Sequence, residues 1–272
     1  MAALCAGSVS PVSKVRLDTA LAKRGLFPSR AAAAASVRAG AVRIGSEGPF
    51  AMKPSQLVGE EDELVVEERR RFVSRGGVKL ENAIEALGVE VGGRGCLDVG
   101  ASTGGFTDCL LQRGAARVAA VDVGYGLLDR RLREDPRVAV IERRNARELS
   151  AADLPFAFEL ATIDVSFISL RKVLPAVAGC LSEGGEVLAL VKPQFELGRA
   201  DVGKGGVVRS AKKRREAILS VAACCGGLRL PVRGLASSGL PGPKGNLETF
   251  VWCGGEGAPL ADLEAAVAEV EP

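Results

Sequence analysis

The sequence contains no histidine among its 272 residues. Catalytic sites that use an imidazole as general base, such as a serine–histidine–aspartate triad, are therefore excluded. A general base in this chain has to be an aspartate, glutamate, lysine, tyrosine or cysteine. The candidate catalytic bases are therefore carboxylates, amines and a few other side chains.

Long apolar segments and cysteine clusters are also missing. No apolar run reaches the ~20 residues that span a bilayer. Met1–Lys14 lacks the charged start and apolar core of a secretory signal, and we expect a flexible tail there. The seven cysteines include the adjacent Cys224 and Cys225 but no CxxC spacing, which predicts neither a zinc site nor a disulfide framework. We expect a cytosolic protein without a membrane partner.

Charge is nearly balanced over the whole chain. Lys and Arg number 36 and Asp and Glu 33, so the net charge of +3 does not by itself indicate a nucleic-acid partner. The length allows one medium domain and one small domain. Any basic surface must therefore be local.

Basic residues gather in an N-terminal segment with helical periodicity. The pattern predicts a helix from Arg16 and a second over Arg30–Ala39, capped by Ser29. Short strands are predicted at Val42–Ile44 and Leu64–Val66. Such a basic surface suits contacts to phosphates, and it is equally typical of a solvated helix face. The basic residues are Arg16, Lys23, Arg24, Arg30, Arg38 and Arg43, against the single acid Asp18.

Residues 15–68 resemble an S4 RNA-binding domain. The resemblance rests on Arg16-Leu-Asp-x-x-Leu-x-x-Arg-Gly-Leu, Ser29-Arg30, Ala39-Gly40-x-Val42-x-Ile44 and Lys53-Pro54-Ser55. It departs at Gly45-Ser46-Glu47-Gly48, where the family usually has a tight Asn-Gly turn. The candidates for RNA contact are Arg16, Lys23, Arg24, Arg30 and Arg38.

Beyond a charged linker at 69–73, apolar strands alternate with helical stretches. This alternation predicts an α/β sheet with a mainly parallel core. The short link Gly239–Asn246 predicts that the last two strands are antiparallel neighbours. The predicted strands are Gly95–Ala101, Arg117–Val123, Val138–Glu142, Leu160–Val165, Glu186–Val191, Leu230–Ala236 and Thr249–Cys253.

A glycine-rich turn follows the first of these strands, within Cys96–Thr107. Glycine lets the backbone approach a ligand closely, and the next helix offers free N–H groups. Asp122, after the second strand, is placed to accept hydrogen bonds from ribose hydroxyls. Ser102 breaks the dinucleotide fingerprint, and no lysine follows the glycines as a P-loop requires. S-adenosylmethionine (SAM) remains, and the alternative is a purely structural turn.

Asp164 and Lys192 follow the fourth and fifth strands. Ligands of open α/β sheets bind outside the carboxyl ends of the strands, so both residues are expected to face one cleft. A lysine beside an acid there is most often an ion pair, and the functional alternative is a lysine that touches a substrate hydroxyl. The basic run Lys212–Arg215 is more typical of a solvated helix face than of an RNA contact.

Residues 74–253 carry an ordered series of motifs. They are Ser74-Arg75-Gly76-Gly77-x-Lys79-Leu80, Asp98-x-Gly100-Ala-Ser-Thr-Gly-Gly-Phe-Thr107, Asp122-Val-Gly-Tyr-Gly126, Asn145-Ala-Arg147, Asp164-Val-Ser-Phe-Ile-Ser169, Val191-Lys-Pro-Gln-Phe-Glu196, Gly205-Gly-Val-Val208 and Pro241-Gly-Pro-x-Gly-Asn-x-Glu248.

These motifs resemble the TlyA/hemolysin A family, whose members are similar to FtsJ-type RNA ribose 2'-O-methyltransferases and modify cytidines of ribosomal RNA. The resemblance implies a Rossmann-like class I SAM-dependent methyltransferase domain at 74–255, with a C-terminal helix or tail at 256–272, after a small α+β S4 domain. At the linker, Phe72 stands where related members can carry Trp.

The same resemblance implies a catalytic tetrad of Lys79, Asp164, Lys192 and Glu248, in which we expect Lys192 to touch the 2'-hydroxyl. Asp164 and Glu248 would orient the lysines, and Lys79 would complete the network. No metal is expected, because the sulfonium of SAM already activates the methyl group. The candidate contacts to SAM are Gly100, Ser102, Thr103, Gly104, Phe106, Asp122, Tyr125, Asn145 and Asp164.

Two other functions stay open at this point. A membrane-active cytolysin, suggested by the hemolysin name, is disfavoured because neither a long apolar segment nor a clear amphipathic membrane helix is found. A non-catalytic factor that binds ribosomal RNA or assembles ribosomal subunits is disfavoured because every member of the tetrad is present. Ribosomal RNA or a ribosomal subunit is the expected partner.

Overall fold

A computed structural model describes residues 14–38, 41–46, 48–51, 53–66, 71–203 and 205–271. The chain forms two compact units, Met1–Arg71 and Phe72–Pro272. Most of the predicted tail at 1–14, part of the predicted linker at 69–73, and the Ala39-Gly40 step of the S4 motifs lie outside the described residues.

The N-terminal unit combines two helices with two small antiparallel ladders. Ser29 begins the second helix as predicted, because its Oγ accepts a hydrogen bond from the N–H of Ala32 at 3.1 Å. The core of the N-terminal unit contains Leu17 and Leu21 from the first helix and Val42 from a strand, so the apolar faces of helix and strand meet as the periodicity predicts. The elements are β1 (Val15–Arg16), α1 (Leu17–Lys23), α2 (Arg30–Arg38), β2 (Val42–Ile44), β3 (Leu57–Val58) and β4 (Leu64–Val66). Strand β1 pairs with β3 and β2 pairs with β4.

The C-terminal unit is built on a seven-stranded sheet. Its strands are β5 (Gly95–Val99), β6 (Arg117–Val121), β7 (Val138–Ile141), β8 (Phe158–Ile163), β9 (Leu181–Val191), β10 (Val232–Ser237) and β11 (Thr249–Gly254). The strand order is β10-β11-β9-β8-β5-β6-β7. Strands β5 to β9 pair in parallel, and β11 is antiparallel to both β9 and β10. The predicted α/β sheet with a mainly parallel core and an antiparallel last pair is confirmed.

Helices cover both faces of this sheet. One apolar core joins Leu80 and Leu110 to Phe250, and the other joins Val177 and Ile218 to the opposite face. Burial on both faces explains why the strands read as nearly continuous apolar runs in the sequence. The helices are α3 (Arg75–Leu87), α4 (Gly105–Gln112), α5 (Arg130–Arg133), α6 (Leu174–Ala178), α7 (Pro193–Glu196), α8 (Ala211–Gly227) and α9 (Leu263–Val270). Within the described ranges, none of the helices is long and apolar enough to cross a bilayer.

The order of the strands reverses between β5 and β8. From β5 the chain proceeds through β6 and β7 to one edge, and from β8 it proceeds through β9 toward the other edge. Such a reversal opens a crevice at the carboxyl ends of the two central strands, because their following loops turn to opposite sides. The fold therefore fixes where a ligand can enter.

Candidate active site

A cleft of about 1010 Å³ lies at this reversal point. Its walls come from the loops after β5, β6, β7 and β8 and from α7 with the residues that follow it. Five predicted site residues line it together, although they come from distant parts of the sequence. They are Gly100, Ser102, Asp122, Asn145 and Asp164.

The turn after β5 needs glycine for a steric reason. Gly100 has φ +88°, and a Cβ there would lie 2.5 Å from the carbonyl oxygen of Asp164. Ser102 also adopts a left-handed conformation, with φ +49°. Its N–H donates to Oδ2 of Asp122 at 2.8 Å, and the N–H of Gly124 donates to Oδ1 of Asp122 at 2.6 Å. Asp122 therefore fixes the backbone of the turn while keeping acceptor capacity toward the cleft.

A second carboxyl lies inside the sheet beneath the same turn. Asp98 is fully buried, and Oδ2 accepts a hydrogen bond from Oγ1 of Thr107 at 2.6 Å. Oδ1 has no hydrogen-bond partner in the described part of the chain. Burial raises the pKa of Asp98 to about 7, helped by the nearby charge of Asp164 and opposed by the hydrogen bond from Thr107. Sequence reasoning assigned no separate role to this acid.

The cleft fits SAM in size and in chemistry. Asp122 at the end of β6 offers a carboxylate for ribose hydroxyls, and the Gly100 turn allows close approach of a ligand to the backbone. Val123 and Leu127 expose apolar surface beside Asp122, which suits the face of an adenine ring. Gly100, Ser102, Asp122 and Asn145 would hold the cofactor.

Four other predicted cofactor residues do not line this cleft. Phe106 is buried and packs against Phe250 with ring centroids 5.8 Å apart. Gly104 has φ +94°, and a Cβ there would collide with Leu132. Thr103 is exposed, and so is Tyr125, whose ring lies 4.2 Å from the Arg143 guanidinium. Their contacts to SAM stay predictions.

Lys192 and Asp164 form an ion pair at the carboxyl ends of β9 and β8. Nζ of Lys192 lies 2.5 Å from Oδ1 of Asp164, although that oxygen accepts no hydrogen bond with regular angles. The same Nζ donates to Oγ of Ser166 at 3.0 Å. The side chain of Lys192 is 12% exposed and that of Asp164 is 24% exposed. Asp164 and Ser166 line the cleft, whereas Lys192 is not itself a lining residue and reaches the cleft only through its contacts with these two side chains. The predicted ion pair at the ends of β8 and β9 is present.

Lys79 and Glu248 form a second pair that is removed from solvent. Nζ of Lys79 on α3 donates to Oε2 of Glu248 at 2.5 Å, and both residues are buried. Thr249 pairs with Val191 across β11 and β9. Glu248 and Lys192 are the next residues at this end of the antiparallel ladder, so they lie opposite each other. The four residues of the predicted tetrad thus form a partly buried pair at the ends of β8 and β9 and a more deeply buried pair between α3 and the residue before β11.

Sequence reasoning missed the role that Phe167 can have. Its side chain is 92% exposed in the cleft, and its φ of +64° is rare for a bulky residue. The ring of Phe195 lies 5.3 Å away, centroid to centroid. An aromatic residue three positions after a site acid is the signal that could have identified it.

The N-terminal basic residues fall into two groups. Arg16 and Arg30 both contact the buried Asp18, at 2.7 and 3.3 Å. The hydrogen bond from Arg16 is the main reason why the pKa of Asp18 lies well below its usual range. Arg24 donates to the carbonyl oxygens of Gly59, Glu60 and Asp62. These three arginines therefore also have structural partners, whereas Lys23 and Arg38 are simply exposed.

The basic run at 212–215 is not a simple solvated face. Nε of Arg214 lies 2.6 Å from Oε2 of Glu271, and Nε of Arg215 donates to the backbone oxygen of Glu271 at 2.6 Å. Lys213 pairs with Glu216 at 2.8 Å. The interpretation as a solvated face is therefore wrong for Arg214, whose side chain is only 11% exposed, because it anchors the end of α9 to α8.

This α/β sheet with a cofactor-sized cleft at its reversal point defines a Rossmann-like methyltransferase. Residues 72–255 match the FtsJ-like methyltransferases, and the chain belongs to that family. The 16S/23S rRNA (cytidine-2'-O)-methyltransferase TlyA of Mycobacterium tuberculosis is 48% identical over 241 residues, 88% of this chain and 89% of that protein. Hemolysin A of Brachyspira hyodysenteriae is 38% identical over 241 residues, 86% and 97% of the two chains. A solved structure from Streptococcus thermophilus, described as a candidate hemolysin, has a TM-score of 0.73 at 40% identity, covering 96% and 95%.

Proposed function

We propose that the protein transfers a methyl group from SAM to the ribose 2'-hydroxyl of cytidines in ribosomal RNA of the large subunit, the small subunit or both. Membership of the FtsJ-like family supports methyl transfer, and the name of the mycobacterial relative supports the cytidine 2'-hydroxyl as acceptor. A protein with this substrate acts in the cytosol.

The observation that carries the proposal is the Lys192–Asp164 pair beside the cleft, in which Asp164 lines the cleft and Lys192 contacts Asp164. Nζ of Lys192 is partly exposed and is oriented by Asp164 and Ser166, so it can contact a hydroxyl group placed in the cleft. When SAM is bound, it supplies a methyl group that its positively charged sulfur already activates. Holding the hydroxyl oxygen in line with that methyl group would contribute much of the rate.

The amine of Lys192 can assist the attacking oxygen in two ways. It can accept the hydroxyl proton as a general base, or it can hold the oxygen and stabilise the charge that develops on it. Arginine separates the two roles, because its guanidinium stays charged and cannot accept a proton at accessible pH. Lys79 and Glu248 would fix the position of Lys192, because Glu248 lies opposite Lys192 where the β11–β9 ladder ends.

Phe167 is suited to hold the target base. Sequence-specific recognition of RNA uses unstacked bases that lie on aromatic side chains. The exposed ring of Phe167 lines the cleft next to Phe195. A cytosine turned out of its stack could lie on this ring while its ribose reaches Lys192.

The N-terminal unit would supply affinity for RNA. We propose an S4-like domain at 15–68, a linker at 69–73, the methyltransferase domain at 74–255 and a C-terminal segment at 256–272. In this proposal Lys23 and Arg38, both exposed on the helices of the small unit, contact phosphates. Arg16, Arg24 and Arg30 would combine structural contacts with RNA contacts.

The proposal is tested by methyl transfer in vitro. Purified protein, SAM with a tritiated methyl group and ribosomal RNA or isolated subunits should give labelled 2'-O-methylcytidine after digestion to nucleosides. Lys192→Ala should reduce turnover by a factor on the order of 10²–10⁴, the usual scale for lost general acid–base help. Lys212→Ala, at an exposed lysine on α8, is the matched control and should keep full turnover.

Lys192→Arg then decides between the two roles of the amine. Turnover as low as that of the alanine variant indicates a general base, and substantial turnover indicates positioning or charge stabilisation. If Lys192→Ala methylates RNA at the normal rate, the assignment is wrong. A membrane-lytic activity, suggested by the hemolysin name of one relative, is measured on the same preparation by release of a dye from liposomes.

A further inference from the structure

Glu196 is a buried carboxylate that the catalytic tetrad does not include. It ends α7, four residues after Lys192, and its side chain is only 1% exposed. Oε2 accepts a hydrogen bond from Oγ of Ser169 at 2.6 Å, and Oε1 accepts one from the N–H of Leu170 at 2.7 Å. A carboxylate is withdrawn from water only where such donors replace the lost solvent.

These hydrogen bonds connect the two segments that carry the reactive pair. Residues 164–169 leave β8 as irregular backbone and include Asp164 and Phe167. Lys192 begins the segment after β9, and Glu196 ends it. The loop is therefore held at its start by the Asp164–Lys192 pair and at its end by Glu196. Between these two points the rings of Phe167 and Phe195 lie 5.3 Å apart, centroid to centroid, and are tilted by 50°.

Arg171 supports the arrangement from outside. Its Nε lies 3.7 Å from Oε2 of Glu196 and donates to Oγ of Ser169 at 3.3 Å. Its terminal amino group donates to the backbone oxygen of Glu196 at 3.2 Å. The charge of Glu196 thus has a cationic partner, and all of these contacts serve to join the loop to α7.

We propose that Glu196 is a positioning residue for the methyl-transfer reaction, which acts by holding the loop at 164–169 so that Asp164 keeps Lys192 in place and Phe167 stays in the cleft. This proposal rests on the proposed function of the same site. Glu196 lines the cleft, but its side chain is only 1% exposed and both of its carboxylate oxygens already accept hydrogen bonds, from Ser169 and Leu170. It is expected to affect turnover without taking part in proton transfer or cofactor binding.

The expected size of the effect follows from geometry. An irregular loop that loses its second attachment gains conformational freedom, and the reactive groups are then held less accurately. A misplacement of about 1 Å can reduce a rate by about 10²-fold. We therefore expect Glu196→Ala to lower kcat by roughly 10- to 100-fold. The Kd for SAM should change by less than about threefold, because Gly100, Ser102, Asp122 and Asn145 lie outside the 164–169 loop and only Asp164 of the candidate contacts lies within it.

Glu196→Gln is the conservative variant. Its side-chain oxygen can still accept from the N–H of Leu170, and its amide can still contact Ser169, so it should recover kcat to within about threefold of the unmodified protein. Ser169→Ala removes one partner of the same contact. Because Glu196→Ala already loses that contact, adding Ser169→Ala to it should cause little further loss.

Glu186→Ala provides the matched control. Glu186 is also a buried glutamate bound to arginine, with Arg94 at 2.6 Å and Arg233 at 2.5 Å, but it lies in the middle of β9, away from the strand end that carries Lys192. Its removal should lower the melting temperature and leave kcat unchanged at a temperature where the protein stays folded. If Glu196 has a purely structural role, Glu196→Ala should likewise lower the melting temperature and leave kcat unchanged.

The experiment measures kcat, KM for ribosomal RNA, Kd for SAM and melting temperature for all variants. A large fall in kcat for Glu196→Ala, recovery in Glu196→Gln and full turnover in Glu186→Ala support the proposal. Normal kcat in Glu196→Ala, or Glu196→Gln as inactive as the alanine variant, would overturn it. If Glu196→Ala does not fold, Ser169→Ala alone decides: a lower kcat at an unchanged Kd for SAM supports the proposal, and a normal kcat overturns it. Absence of 2'-O-methylation by the unmodified protein contradicts the proposed function instead, so the two failures are distinguishable.

Discussion

Substitutions in the buried Lys79–Glu248 pair should distinguish effects on stability from effects on catalysis most clearly. Both residues are buried and their charged atoms lie 2.5 Å apart, so removing one leaves the other charged and without its partner. Breaking such a pair costs about 3–5 kcal/mol. In a unit of this size 1 kcal/mol corresponds to ~2–4 °C, so Glu248→Ala should lower the melting temperature by roughly 6–20 °C.

Replacing both partners should reverse most of that loss. Lys79→Met with Glu248→Leu removes both buried charges, and well-packed apolar replacements are often neutral in stability or better. Methyl transfer should nevertheless stay low, because the support behind Lys192 is gone. The exposed pair of Arg130 and Glu134, 2.7 Å apart on α5, is the control, and its removal should cost less than about 1 kcal/mol.

Urea unfolding and methyl transfer are measured on the same preparations. A loss of under ~1 kcal/mol in Glu248→Ala would contradict the buried-charge reasoning. A double variant as unstable as the single variants would contradict it too. If the double variant is stable and methylates RNA at the normal rate, the pair has no part in catalysis.

Three further predictions address the cofactor, the buried acid and the RNA surface. Asp122→Ala should weaken SAM binding by about 10- to 100-fold in calorimetry, because ribose hydroxyls lose a charged acceptor worth ~1.5–3 kcal/mol, and unchanged affinity would refute this assignment. Burial raises the pKa of Asp98 to about 7, so the folded state favours the protonated carboxyl. The free energy of unfolding should therefore fall as the pH rises from about 4 through about 7, where Asp98 has to ionise inside the protein. Asp98→Asn should remove that fall in urea unfolding and stabilise the protein at pH 8 by a few kcal/mol, whereas an identical pH profile would show that the carboxyl is not buried as described. Lys23→Glu with Arg38→Glu should weaken RNA binding and flatten its dependence on salt, because fewer counterions are released, and an unchanged slope would exclude both residues from the phosphate contacts.

The sequence was sufficient for the elements that depend on local periodicity. All seven strands of the large sheet were predicted, because burial on both faces makes the central strands, such as β5 and β8, nearly continuous apolar runs. Their ends were less accurate, and β9 begins at Leu181 instead of Glu186. The two-residue strands Val15–Arg16 and Leu57–Val58 were missed, because so short a ladder has no periodic pattern.

The candidate site was only partly predictable. The glycine turn and the acid after β6 have local signatures, and the structure brings Gly100 and Asp122 to one cleft. The pairing of Lys79 with Glu248, 169 residues apart in the sequence, depends on the packing of α3 near β11, which no local pattern encodes. The interpretation of residues 212–215 went wrong because the partner of Arg214, Glu271, lies far along the chain.

The residues around the Lys192–Asp164 pair were also hard to predict, because their contacts join distant parts of the sequence. Glu196 and Ser169 both stand in motifs that the sequence singled out, yet only the folded chain places them 2.6 Å apart. The left-handed backbone of Phe167 is likewise set by this loop and not by the propensity of phenylalanine. Residues that position a site are therefore harder to find from sequence than residues that form it.

The central claim, methylation of cytidine 2'-hydroxyls in ribosomal RNA by the site at Lys192, is tested most directly by mapping 2'-O-methyl groups in cells. Ribosomal RNA is compared between cells that carry the gene, cells that lack it, and deletion cells that express either the unmodified protein or Lys192→Ala. The account predicts that specific cytidines lose the modification on deletion and regain it only with the unmodified protein. An identical map in all four strains, or full restoration by Lys192→Ala, would contradict it.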